Sequence, residues 1–175
     1  MESKYPGSTP ERDPEANLYA YLLGSWSVER TLLDRASGTR GSFTGVVHFF
    51  PGSDSPSDSA GPGDSDGGMV LREEGTLLWP APDGSPTTNA ASRTYILRRT
   101  GSPGTLDVFF SDGRPFHRMS FSEQASQDEH WCDPDTYHVN YVLDGPDAFS
   151  YRWDVSGPAK DLLLESSLRR LGSEP

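Results

Sequence analysis

One short stretch, EHWCDPDTYHV at residues 129–139, gathers the side chain types that most often do chemistry. It contains the only cysteine of the chain and two of its four histidines. Histidine titrates near neutral pH, thiolates are nucleophiles and metal ligands, and carboxylates move protons or bind cations. These side chains, which fall within nine positions, are His130, Cys132, Asp133, Asp135, Tyr137 and His138.

Three interpretations of this stretch are possible. If a strand ends at Cys132, His130 and Cys132 point the same way, and the following proline interrupts the ladder. A metal site would use His130, Cys132 and Asp135, but zinc normally takes a fourth ligand and the chain has no second cysteine. Nucleophilic catalysis would use Cys132 with His130 or His117 as its base. In the third, favoured interpretation Asp135 forms a turn and Cys132 packs as a small apolar side chain. We therefore predict no metal ion, and a ligand contact or an acid–base role for His130 stays open.

A charged side chain lies on a face that the sequence marks as buried. Arg30 alternates with Trp26 and Val28, so a strand would point all three the same way. A buried arginine must be paired or must meet an anionic or carbonyl ligand group, unless it reaches water at a barrel mouth. Glu73 or Glu74 could neutralise it, and we place Glu74 among the ligand-binding candidates.

Aromatic side chains follow the same alternation. Tyr137 and Tyr141 share one face of a strand, and Tyr151 and Trp153 share a face of the next. Buried phenols usually find hydrogen-bond partners, so these rings could line a pocket for a flat, partly polar molecule. Plain core packing is the alternative.

The side chains of the remaining histidines are expected to point in different directions relative to the barrel interior. His117, in GRPFHRMSF, either faces the same cavity as an acid–base group or is exposed, with Phe116 inward. His48 and His138 alternate with apolar positions and are predicted to point outward.

Composition limits the possible classes of protein. The chain has 175 residues, 33% of them hydrophobic and 11% aromatic, with 18 glycines and 15 prolines, which suits one domain of short strands and many turns. Its net charge of −11 argues against nucleic acid and anionic membranes as partners. One cysteine favours a reducing compartment, the N-terminal residues have no apolar signal region, and no apolar run approaches the roughly 20 residues that span a bilayer. We expect a cytoplasmic protein.

The elements that must position these side chains can be predicted from periodicity. PEANLYAYLLG predicts a helix of about ten residues, with Asp13 as its N-cap and Gly24 as its stop. About nine segments with a period of two follow, without intervening helices, and indicate antiparallel strands. SGPAKD at residues 156–161 predicts a tight turn, with Lys160 and Asp161 paired at the rim.

The predicted fold class is all-β, an antiparallel up-and-down calycin-like β-barrel with one short N-terminal helix, and a two-sheet sandwich is the alternative. The Ser-, Asp- and Gly-rich insertion lies between two strands and predicts a disordered loop. The predicted organisation is a disordered tail at 1–13, a single barrel domain at 14–171, the loop insertion at 51–68 and a tail at 172–175.

The chain also resembles a known family. Gly24-Ser25-Trp26 after a short helix looks like the start of calycin-type barrels of the lipocalin and fatty-acid-binding group. Over roughly residues 17–171 the chain is similar to the domain of unknown function 6314 family, although leucines stand at 162 and 168 where aromatics are usual, and the insertion at 51–68 is an extra. The resemblance implies a β-barrel and singles out the positions of the shared motifs, and it implies no activity. The motifs that carry it are Gly24-x-Trp26-x-x-x-Arg30, Glu74-Gly75, GRPFH, His130-x-Cys132-x-x-Asp135-x-Tyr137, Trp153-x-Val155-x-Gly157-Pro158-x-Lys160-Asp161 and Arg169-Arg170.

Two functional hypotheses follow, and they share one cavity. In the first, the barrel binds a small, partly aromatic or carboxylated molecule without a cofactor, and the ligand-binding candidates are Arg30, Trp26, Glu74, Cys132, Asp135, Tyr137, Tyr141, Tyr151, Trp153, Lys160 and Arg170. In the second, a cofactor-free isomerase, cyclase or dehydratase uses His130 or His117 as its catalytic base, and Arg30 or a tyrosine stabilises an oxyanion. A haem barrel with a histidine ligand is a third, weaker hypothesis. The sequence contains no phosphate-loop, dinucleotide-binding, zinc-finger or zincin motif.

Overall fold

A computed structural model describes residues 13–52 and 67–172. Most of the predicted tails and of the predicted loop insertion therefore lie outside the described residues. Within these two ranges the elements are one helix and ten strands: α1 Leu18–Leu22, β1 Gly24–Asp34, β2 Arg40–Pro51, β3 Met69–Pro80, β4 Pro86–Arg99, β5 Thr105–Phe110, β6 Pro115–Ser120, β7 Gln127–Cys132, β8 Asp135–Gly145, β9 Ala148–Ser156 and β10 Asp161–Arg170.

The strands form an antiparallel meander that closes on itself. Each strand pairs with its neighbour in the chain from β1 to β6 and from β7 to β10, and β10 pairs with β1. This order makes an up-and-down barrel that is closed except between β6 and β7, for which the described residues show no ladder. The predicted calycin-like barrel is thus confirmed, with one strand more than expected. The added strand is β7, which contains His130 and Cys132.

We call the opening between β6 and β7 the seam. The backbone N–H of Arg118 on β6 donates across it to the carboxylate of Asp128 on β7, and the rings of Phe116 on β6 and His130 on β7 meet edge-on. Side-chain contacts therefore take the place of a ladder along this edge.

The helix is shorter than predicted. It begins after Asn17, whose side chain accepts a hydrogen bond from the N–H of Ala20 at 3.0 Å, so Asn17 is the N-cap. The predicted cap, Asp13, instead accepts one hydrogen bond from the backbone N–H of Glu15 within a preceding turn. The predicted start of the helix was too early because polar residues that form a turn and a cap resemble the first turn of a helix in composition. Gly24, with φ of 111°, turns the chain from the helix into β1.

The barrel has two distinct ends. The helix, the C-terminal end of β10 and the β8–β9 turn lie at one end, which we call the helix end. Because the strands alternate in direction, the β1–β2, β3–β4, β5–β6, β7–β8 and β9–β10 turns lie at the opposite end, which we call the hairpin end. Alternating apolar side chains fill the interior, as a strand with one buried face requires.

Candidate functional site

A buried arginine–glutamate pair crosses the inside of the barrel. Arg30 on β1 donates from Nη1 and Nη2 to the two carboxylate oxygens of Glu73 on β3, at 2.9 and 2.7 Å. Arg30 Nε donates to Ser166 Oγ at 2.8 Å, and the guanidinium lies 5.1 Å from the centre of the Phe43 ring. The side chains of Arg30 and Glu73 are only 6% and 4% exposed. The prediction that Arg30 points inward is confirmed, and Glu73 is its partner.

The backbone makes room for this pair. Gly45 on β2 faces Gly75 on β3, two residues from Glu73. A Cβ atom on Gly75 would lie 2.6 Å from the Cα of Gly45 and 2.8 Å from Phe43 Cζ. Glycine at this position therefore lets the two strands approach and leaves space for the Phe43 ring beneath Arg30.

A second arginine shares the same carboxylate. Arg93 on β4 has its Nε 2.8 Å from Glu73 Oε1, and its Nη2 donates to Glu73 Oε2 at 3.3 Å and to the Tyr151 hydroxyl at 3.1 Å. Tyr151 also accepts from Arg30 Nη2 at 2.7 Å. Two cations thus meet one carboxylate, which leaves the cluster with a net positive charge. Within the described residues, the buried N–H of Arg93 Nε makes no well-directed hydrogen bond.

The three charged groups stay ionised. Burial disfavours each charged form, but for Glu73 the hydrogen bonds from Arg30 and the charges of both arginines outweigh it, so the pKa of Glu73 lies below its ordinary value. Burial also acts against the charged forms of the two arginines, but their interactions with Tyr151 and Glu73 outweigh it. The pKa values of Arg30 and Arg93 therefore lie above the ordinary value for arginine.

Next to this cluster a histidine and a tyrosine are hydrogen-bonded. His117 Nε2 and the Tyr141 hydroxyl are 2.8 Å apart, and the two rings are stacked. Burial, with smaller contributions from the charges of His130 and Arg93, lowers the pKa of His117 to about 3. The imidazole is therefore neutral at pH 7. In the part of the chain that the structure describes, its Nδ1 atom is buried and has no hydrogen-bond partner.

The alternative for GRPFHRMSF in which His117 is exposed is wrong, although Phe116 points inward as that alternative predicted. The register between β5 and β6 shifts after Val108, which pairs with His117, whereas Phe109 pairs with Pro115. Phe116 is thus the extra residue of a β-bulge, and a bulge turns two consecutive side chains toward one side. Both Phe116 and His117 consequently line the interior.

These groups surround an internal cavity. Its free volume is about 40 Å³, room for about three water molecules. Apart from the polar groups described above, the wall is apolar and aromatic. Lining side chains include Val47, Phe49, Leu71, Tyr95, Leu97, Val108, Phe116, Met119, Phe149, Trp153 and Leu168.

The predicted ligand contacts nearer the hairpin end form a second group. The His130 ring lies across the register from Tyr137 and meets Phe116 edge-on, with ring centres 5.3 Å apart. Lys160 Nζ lies 2.6 Å from a carboxylate oxygen of Asp135 and donates to the Tyr137 hydroxyl at 3.2 Å. The predicted Lys160–Asp161 pair is therefore wrong, since Lys160, in the turn between β9 and β10, pairs with Asp135 at the start of β8.

Trp26 and Arg170 lie at the helix end, away from the cavity lining. Trp26 is fully buried and donates from Nε1 to the carbonyl of Leu22 at 2.8 Å. Arg170 lies over the Trp26 ring, donates to the carbonyls of Tyr21 and Leu23, and pairs with Asp147. These contacts join the last strand to the helix and are structural.

Two further candidates lie outside the cavity. Glu74 is exposed on the outer face, 3.4 Å from Arg72, because consecutive strand residues point to opposite faces. Cys132 is exposed at the end of β7, so the packing predicted for it is wrong. Among the described residues, no three His, Cys, Asp or Glu side chains come together as metal ligands, so the structure does not assemble the metal site of His130, Cys132 and Asp135. His48 and His138 lie on the outer face, against Ser25 and Glu129 respectively.

Arg93 is the functional candidate that the sequence analysis missed. A signal was present, because Arg93 alternates with Tyr95 and Leu97 within SRTYILRR. A strand rich in arginine is easily taken for a solvated one, and only the position of β4 beside β3 brings Arg93 to Glu73.

Fold and cavity together define a lipocalin-like barrel of the calycin type. The chain belongs to a family of unknown function, DUF6314, whose model matches residues 22–170. Among curated proteins, none matches this sequence.

One solved structure supports the fold. The chain is similar to the S-type phycobiliprotein lyase CPES from Guillardia theta, with a TM-score of 0.60 at 13% identity, over 90% of this chain and 92% of that one. Redesigned β-barrels are weaker matches. One of them, mFAP0 bound to DFHBI, has a TM-score of 0.37 at 17% identity, over 85% of this chain and 98% of that one. Of the helices in the described ranges, none is long and apolar enough to span a bilayer.

Proposed function

We propose that this barrel binds a small molecule through an anionic group, a carboxylate above all, which Arg93 anchors inside the cavity. The observation that carries the proposal is that Arg30 and Arg93 share the single carboxylate of Glu73. A buried cluster with one cation in excess is stabilised by an anion that completes its pairing.

Arg93 is the better anchor of the two arginines. Arg30 uses all three of its nitrogens on Glu73, Ser166 and Tyr151 and is 6% exposed. Arg93 is 32% exposed, its Nε and Nη2 face Glu73, and its Nη1 makes no hydrogen bond among the described residues. Nη1 is therefore the group that can donate a charge-assisted hydrogen bond to a ligand carboxylate. The predicted role of Arg30 as the anchor thus passes to Arg93, and Arg30 would hold Glu73 in position.

Tyrosine hydroxyls would complete the anion site. Tyr151 accepts hydrogen bonds from both arginines, so its own O–H is free to donate to a ligand oxygen. Tyr141 and His117 lie in the same cavity and supply one further proton donor between them, whichever tautomer the imidazole adopts.

The enzyme hypothesis has less support. A general base works best when its pKa lies near the operating pH, and the pKa of His117 is about 3. His130 lies between the aromatic rings nearer the hairpin end, with its closest ring neighbour Phe116 at 5.3 Å. Binding needs no titrating group and is the function that the cavity favours.

The test is an NMR titration with acetate, using acetamide as an uncharged ligand of the same shape. In the wild type, acetate should shift the guanidinium NMR signals of Arg93, and acetamide should not. Arg93→Gln should abolish acetate binding. Arg98→Gln is the matched control, because Arg98 is exposed on the same strand and lies over the Phe109 ring. Equal acetate binding by Arg93→Gln and the wild type would refute the proposal.

A further inference from the structure

Aromatic rings fill the space between the cavity and the seam, and Phe116 is at their centre. Its ring lies 7° from parallel to Trp153, with centres 5.0 Å apart, and 29° from parallel to Phe110, with centres 4.5 Å apart. Tyr95 stacks on it as well, at 5.6 Å. Flat rings therefore already stack here, beside the polar cluster.

Phe116 is also weakly held by its backbone. As the extra residue of the bulge it has no partner in the β5–β6 register, and its neighbour Pro115 has no N–H to donate. On the other side of β6 lies the seam, where the described residues form no ladder. The backbone at Phe116 can consequently shift, and carry the side chain with it, without breaking a β5–β6 ladder hydrogen bond at that residue.

Cavity size limits what can bind while Phe116 stays in place. The free volume of about 40 Å³ is far smaller than the apolar cavity of about 150 Å³ that a benzene ring occupies. The Phe116 side chain is itself a benzene ring that lines the same cavity as Arg93. Its displacement toward the seam would create a ring-sized space in contact with Trp153.

From this arrangement we infer the ligand class: a flat aromatic carboxylate whose ring replaces Phe116 against Trp153 and whose carboxylate reaches Arg93. This inference rests on the proposed function, since it assumes that Arg93 binds the carboxylate. It adds the aromatic group, the seam as the route of entry, and Phe116 as the residue that determines ligand size.

The inference can be tested by titrating acetate, benzoate and 2-naphthoate while following tryptophan fluorescence and arginine NMR signals. Stacking on Trp153 should make benzoate bind the wild type about tenfold more tightly than acetate. Phe116→Ala should bind 2-naphthoate more tightly than the wild type, by about tenfold.

Controls separate this inference from the proposed function. Phe109→Ala removes a neighbouring ring that packs under Arg98 on the outer face and should alter no affinity. Phe116→Leu retains an apolar side chain and serves if the alanine variant does not fold. Benzoate binding no tighter than acetate, or naphthoate affinity unchanged by both Phe116 variants, would overturn the inference of an aromatic ligand. If acetate binding still depended on Arg93 in that case, the proposed function would stand; if no carboxylate bound, both would be wrong.

Discussion

Two arginine–aromatic clusters in this barrel differ in how completely they are paired. At the helix end, each nitrogen of Arg170 donates, to Asp147, Leu23 and Tyr21, and the guanidinium covers Trp26. In the cavity, Arg93 shares Glu73 with Arg30. A fully paired cluster holds elements together, whereas an incompletely paired one can still gain free energy from a ligand.

The largest effect should come from removing the shared carboxylate. Glu73→Gln leaves two buried cations without a counter-charge, so the free energy of unfolding should fall by about 3–5 kcal/mol. Urea denaturation measures it. Glu74→Gln is the matched control on the exposed face of the same strand and should change stability by less than about 0.5 kcal/mol. Similar losses in both variants would mean that the Glu73 pair is not the buried junction described above.

Substituting one arginine from each cluster tests the comparison most directly. Arg170→Gln should lower the free energy of unfolding by about 2 kcal/mol, because buried carbonyls and Asp147 lose charged hydrogen bonds, and should leave acetate binding intact. Arg93→Gln should lose acetate binding with a smaller loss of stability, since the Arg30–Glu73 pair remains complete. Urea denaturation and the acetate titration together check this. Loss of binding in Arg170→Gln, with the fold intact by circular dichroism, would contradict the division of roles.

The polar cavity should also make stability depend on pH. Because the pKa of folded His117, about 3, lies below its ordinary value of 6.5, the unfolded chain takes up this proton first as the pH falls. The free energy of unfolding therefore decreases from about pH 6.5 toward pH 3, by at most about 1.4 kcal/mol per pH unit from this group. Denaturation of His117→Gln across this range should give a shallower slope. His48→Gln, on the outer face, is the control, and a slope equal to that of the wild type in His117→Gln would refute the assignment.

The smallest effect is expected at the rim of the hairpin end. Lys160→Met removes an ion pair with Asp135 in which the lysine side chain is 45% exposed, so stability should fall by less than about 1 kcal/mol. The part of the stability that depends on salt concentration through this ion pair should disappear in the variant. Denaturation at low and high ionic strength measures both. A loss as large as that of Arg170→Gln would place the rim pair among the structural clusters.

Much of the fold was predictable because strand periodicity is a local property. Alternation placed Arg30 beside Trp26 and Val28 and predicted a barrel of antiparallel strands, which the structure confirms. Strand β7 was only one of several interpretations, because its less exposed positions, Asp128 and His130, are polar and its large apolar residue, Trp131, is exposed. The ligand-binding roles of Tyr137, Tyr141, Tyr151 and Trp153 stay predictions, although three of these side chains line the cavity.

The site itself was less predictable. Between Glu73 and Glu74, the strand register decides which carboxylate points inward, and the structure selects Glu73. The bulge at Phe116 brings two successive side chains inside, which a strict period of two excludes.

The sequence by itself therefore determined the class of fold, the presence of aromatic and charged side chains on buried faces, and the inward direction of Arg30. These follow from alternation and turn chemistry, which act over a few residues. Only the tertiary structure decided that Arg30 and Arg93 meet at Glu73, that His117 is buried against Tyr141, and that the barrel is unpaired between β6 and β7. Such pairings depend on the register between strands that are distant in the chain, and one residue of slip would turn every one of these side chains to the other face.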